Sequence, residues 1–186
     1  MSKSSLAGLV PDLETATKGR YAVYLKATDW DKEASEGRQL CPYTKLEISL
    51  NNAYRETAKN GYTQSFEKVV FVDAPLSAEK MQAGKFNALF VVDSPRIGMV
   101  LGANREKFLT QKFYFSTYIR GSVVARGRTG RIDQMEIETT QKVEAETDKG
   151  CKVATKIGSE STGKAILGFT VEMVSASKAL LNNINQ

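Results

Sequence analysis

The residues best suited to hold a ligand lie between Lys107 and Arg131, in KFLTQKFYFSTYIRGSVVARGRTGR. Along a strand, side chains alternate between two faces. Phe113, Phe115, Thr117 and Ile119 therefore share an apolar face, and Lys112, Tyr114, Ser116, Tyr118 and Arg120 share the other. Cations interleaved with tyrosines suit a polyanion, because rings stack on bases while ammonium and guanidinium groups neutralise phosphates. Glycines at 121, 127 and 130 then break the run into turns, with Arg126, Arg128 and Arg131 among them. The candidate nucleic-acid-binding set is Lys107, Lys112, Tyr114, Tyr118, Arg120, Arg126, Arg128 and Arg131.

The charge distribution favours the same stretch. Residues 1–93 hold 12 Lys/Arg and 12 Asp/Glu, residues 94–131 hold 8 against Glu106 alone, and residues 132–186 hold 6 against 8. The net values of zero, +7 and −2 sum to the +5 of the whole chain. A basic segment inside a balanced chain reads as a localised electrostatic footprint. The acidic run Asp133, Glu136, Glu138, Glu144, Glu146 and Asp148 follows it directly. Those carboxylates either pair with the cations across strands or face the basic segment of a neighbouring copy.

Several chemistries are excluded by residue type. Histidine is absent, which removes Ser–His and Cys–His nucleophile pairs, histidine bases and histidine-bearing metal sites. The two cysteines, Cys41 and Cys151, are too few for a four-thiolate zinc site. They read as reduced thiols in a cytoplasmic setting, and Cys41 beside Arg38 as an incidental one. Gly158-Ser-Glu-Ser-Thr-Gly163-Lys164 matches the phosphate-loop spacing, but Ala165 stands where the magnesium-binding hydroxyl belongs. The β-prone AILGFTVEMV then follows in place of a helix, so the segment reads as a Gly/Ser hairpin loop. A tyrosine nucleophile at Tyr114 or Tyr118 beside Arg120 and Arg126 lacks an evident acid or base. No enzyme activity, cofactor or metal is expected.

The elements that position these residues read mainly as β. Strands are expected at 21–28, 43–48, 66–72, 85–92 and 96–101, with turns at Asp93-Ser-Pro95 and at 102–104. Short helices are expected after Ser49, ending at Gly61, and after Ser77, ending at Gly84. From Ile132 onward the pattern predicts further strands: a hairpin pairing 143–145 with 153–155 through Asp148-Lys-Gly150, and a last strand over 165–174, with SASKALLNNINQ as its frayed end or a terminal helix. The whole reads as a single-domain β-barrel or sandwich of about eight to nine strands with two short helices, an oligonucleotide-binding (OB-like) barrel being one form. Residues 1–19 form a polar arm, flexible or ordered against a neighbour, and 20–186 the β-rich domain. The N-terminus lacks the sustained apolar run of a secretory signal, and no segment reaches the ~20 apolar residues of a membrane helix.

Two functions follow as expectations. The first is a non-enzymatic binder of single-stranded DNA or RNA that stacks bases on Tyr114 and Tyr118. The second is a structural subunit of a large assembly, such as a capsid, tail-tube or scaffold protein, with edge strands pairing between copies. Both place the chain in the cytoplasm or a virion, without membrane, as a homo-oligomer.

Overall fold

The computed structural model describes residues 16–30, 49–105, 111–147 and 151–184. The expectations for the arm over 1–15, the strand at 43–48, Cys41, Lys107 and the 148–150 turn lie outside those residues. Within them the protein is mostly β: one open, curled sheet of five strands carrying three helices. The strands are β1 (Thr17–Leu25), β2 (Phe66–Phe71), β3 (Ala88–Arg105), β4 (Gln111–Gly127) and β5 (Ile132–Thr147). The helices are α1 (Leu50–Ser65), α2 (Ala78–Ala83) and α3 (Cys151–Ile184). The sheet order is β2-β1-β3-β4-β5. β1 runs parallel to both β2 and β3, and β3, β4 and β5 run antiparallel.

The dominant core lies on the face covered by α1 and α3. There Tyr21, Val23, Phe66, Phe90, Val92, Ile119, Val123 and Ala125 of the sheet meet Tyr54 and Tyr62 of α1 and Phe169, Met173 and Leu180 of α3. The opposite face is covered at one end by α2, where Ala22 and Leu89 pack with Met81 and Phe86. Burial on both faces explains the continuous apolar run ALFVV in β3. The capping expectation for α2 holds: Ser77 Oγ accepts from the Lys80 amide at 3.3 Å, and Gly84 forms the C-cap.

Three expectations are corrected. The two strands expected at 85–92 and 96–101 are one strand, β3, and Asp93-Ser-Pro95 is an irregularity in its register with β4, not a turn. Helix α1 runs through Gly61 to Ser65, because Gly61 faces α3: a Cβ there would lie 2.6 Å from Thr170 Cγ2. Above all, the hairpin and final strand expected after 150 are a single 34-residue helix, α3. The sheet is therefore open, with β2 and β5 at its edges, and neither a closed barrel nor an OB fold.

Helix α3 was obscured by its small and β-branched residues, which have low intrinsic helix propensity. Those residues face the sheet and α1. Ile157/Gly158, Ser161/Thr162, Ala165/Ile166, Phe169/Thr170 and Met173/Val174 form a buried stripe that returns with each turn. A Cβ at Gly158 would stand 3.0 Å from the Phe115 ring, so glycine permits the close approach. Beneath the sheet, Thr117 Oγ1 lies 3.2 Å from both Ser161 Oγ and Thr162 Oγ1, and Ser161 donates to the Gln141 carbonyl at 2.8 Å. The phosphate-loop spacing thus lies within a helix: Ser161 and Thr162 are buried in packing, while Gly163 and Lys164 face solvent and Lys164 pairs with Glu160.

Candidate functional site

The outer face of β3, β4 and β5, opposite α3, holds much of the predicted site. The register pairs Tyr114 with Gly102 of β3 and Glu144 of β5. It pairs Tyr118 with Gly98 and Thr140, and Arg120 with Arg96 and Glu138. Each tyrosine ring lies flat across the glycine opposite: a Cβ at Gly98 would overlap the Tyr118 ring, and one at Gly102 the Tyr114 ring. The matched spacing Gly98-x-x-x-Gly102 and Tyr114-x-x-x-Tyr118 across antiparallel strands is the signal that sequence reading missed. Rings covering glycines restore the cross-strand contact that glycine lacks. Val100, 48% exposed, sits between the two rings, and Tyr118 is 42% exposed.

On this face two cations of the basic segment are paired with carboxylates. Arg120 forms a two-nitrogen pair with Glu138, at 3.0 and 3.1 Å. Lys112 and Lys142 share Glu144, at 3.3 and 2.6 Å. Hydrogen bonds first from Lys142 and then from Lys112 hold the Glu144 carboxyl below its ordinary range. The Lys142 ammonium also stands 4.7 Å from the centroid of the Tyr114 ring. Cations that are local in sequence are therefore paired in space with the acidic strand that follows.

The remaining predicted residues do not join this face as a single patch. Arg126 stands near the far end of β4, opposite Leu89 and Ile132. Arg128 lies in the β4–β5 turn, which Gly130 closes with φ +83°. Its guanidinium donates to the carbonyls of Phe86 at 2.7 Å and Lys85 at 3.0 Å. It thus fastens the turn to the segment where Lys85 takes the left-handed φ of 52°. Arg131 is exposed beside Asp133, whose carboxyl is held below its ordinary range by bonds from Asn183 and from the Gln134 amide. Lys112 and Arg128 are sixteen residues apart along one strand and its turn, on the order of 50 Å. Among the described residues, no group of three or more Cys, Asp or Glu is placed to hold a metal.

The ring-on-glycine packing predicts coupled stability. Gly98→Ala pushes the Tyr118 ring off the strand, whereas in a Tyr118→Ala background the same change meets no ring. Urea unfolding of the two single variants and the double variant is expected to give a coupling of about 0.5–1 kcal/mol, the double being less destabilised than the sum. Strict additivity would show that the ring does not rest on Gly98.

The class these features define is an open α+β sheet closed on one side by a long C-terminal helix, with a solvent-facing antiparallel extension. No family model and no curated protein sequence matches the chain. Among solved structures, the fold is similar to the minor lipoprotein of Acinetobacter baumannii, with a TM-score of 0.51 at 7% identity over 89% of this chain and 95% of that one. The rare lipoprotein B of Shewanella oneidensis gives a TM-score of 0.49 at 7% identity over 89% and 99%. The expectation of a single-strand nucleic-acid binder, and its alternative of a virion or assembly subunit, are thereby corrected. The fold is one found in a lipoprotein structure, and three of the cations meant for phosphates are engaged elsewhere: Arg120 by Glu138, Lys112 by Glu144 and Arg128 by backbone carbonyls.

Proposed function

We propose that this chain is the folded body of a lipid-anchored cell-envelope protein that works by presenting a surface and not by turnover. The observation that carries this reading is the fold it shares, along nearly its whole length, with the Acinetobacter minor lipoprotein. The outer face supports the non-catalytic part, since Arg120, Lys112 and Lys142 are engaged by carboxylates of the next strand. Among the described residues no helix is long and apolar enough to cross a bilayer. In this reading a covalent lipid holds the protein to the membrane, and stable anchoring takes more than one acyl chain. On this reading the protein belongs to the envelope and not to the cytoplasm.

Metabolic labelling tests the reading. The gene's natural product, expressed in its own host with an alkyne-tagged fatty acid, is expected to carry the label. It should also sediment with membranes through a high-salt wash and be released by detergent. An unlabelled product in the soluble fraction overturns the proposal.

A further inference from the structure

The two sheet edges differ. β2 is a six-residue edge, whereas β5 spans 16 residues, contains no proline or glycine, and pairs with β4 from Ile132 to Thr147 without a register shift. A long edge strand lacking bulges and proline presents a row of unpaired backbone donors and acceptors, a template for another strand. Among the described residues nothing pairs with that side of β5.

We propose that β5 pairs antiparallel with β5 of a second copy of this chain, about a two-fold axis at Thr139, joining the two sheets into one. The charge pattern selects both the partner and the register. With Thr139 facing its own copy, Glu136 faces Lys142 of the second copy, and Lys142 faces Glu136. Gln134 faces Glu144, Glu138 faces Thr140, and on the inner face Met135, 37% exposed, meets Val143. No like charges stand opposite one another. Sliding by one residue pair in one direction sets Glu138 against Glu138 and leaves Lys142 opposite Gln134; in the other it sets Glu136 against Glu144 twice, which offsets the two Glu138–Lys142 pairs formed there. Intermediate registers turn the apolar side of one strand to the polar side of the other. Glu136 has the Gln134 amide as its described side-chain partner. Lys142 shares Glu144 with Lys112, so it can turn to the second copy without stranding that carboxylate. An isologous contact of this kind closes at two copies and does not propagate.

Sedimentation equilibrium of the full chain tests this, with circular dichroism to confirm that each variant is folded. The wild type is expected to be a dimer, and Glu136→Lys, which sets two lysines against two others, to weaken it about tenfold or more. The exchange Glu136→Lys/Lys142→Glu is expected to restore most of the lost affinity. A wild type that stays monomeric overturns the proposal, as does a dimer indifferent to Glu136→Lys or a double variant no tighter than the single one.

Discussion

Phe169→Ala is expected to cost about 3–5 kcal/mol, read as a fall in the urea midpoint with little change in slope. The ring is fully buried where three elements meet. Its centroid lies 6.3 Å from that of Tyr54 on α1, and on the sheet a Cβ added at Gly121 would stand 3.0 Å from Phe169 Cζ and 3.1 Å from Pro95 Cβ. Pro95 is held in turn by Trp30, whose indole N–H donates to its carbonyl at 2.6 Å while its ring packs on Tyr54 at 4.7 Å. Alanine leaves a cavity that neither the glycine side nor the aromatic side can fill without moving a strand or a helix. Phe169→Leu keeps most of the volume and is expected to lose less than about 2 kcal/mol. A loss near 1 kcal/mol for the alanine variant would mean that α3 does not seat on the sheet at this point.

The second large effect is alkaline. Tyr54 and Tyr62 are fully buried on α1, and desolvation pushes both hydroxyls well above the ordinary value of 10.0. For Tyr54 the neighbouring Tyr62 adds to the rise and Arg55 opposes it; for Tyr62 the bond to Ser177 opposes it. Ser177 donates to the Met173 carbonyl at 2.9 Å, so the Tyr62 hydroxyl donates to Ser177, at 2.8 Å. Below pH 10 both tyrosines keep their protons, folded or unfolded, and their contribution to stability is fully present. Above it the unfolded chain releases protons that the folded chain retains, so stability falls by about 1.4 kcal/mol per pH unit for each group, or about 2.7 for the pair. Phenolate absorbance should show two tyrosines ionising only with unfolding. Tyr54→Phe/Tyr62→Phe should flatten the decline. Two phenols that titrate near pH 10 in the folded protein would refute the burial.

Patterns of period two were legible where a strand has one wet and one dry face. The split of Lys112, Tyr114, Tyr118 and Arg120 from Phe113, Phe115 and Ile119 stands in β4 as read. So does the cap at Ser77, where a local side chain-to-backbone bond decides the outcome. Helix α3 was not legible from propensity, because Gly158, Ser161, Thr162 and Gly168 are unfavourable in an isolated helix. They succeed here because small side chains let the helix approach Phe115 and Thr139 closely. The signal that was present, a buried residue or pair at each turn from Ile157 to Ile184, needed the 3.6-residue period to be weighed above residue type.

The chain by itself determined the alternation of the strands, the starts of α1 and α2, and the exclusion of every chemistry that needs histidine. The segregation of charge along the chain, net +7 and then acidic, was equally plain. What that segregation meant was decided only by the antiparallel pairing of β4 with β5, which sets Arg120 beside Glu138 and Lys112 beside Glu144. Charge along a sequence adds up segment by segment, but the field around a folded protein depends on distances in space. Here those distances turn part of an apparent polyanion site into a face on which Arg120, Lys112 and Lys142 are ion-paired.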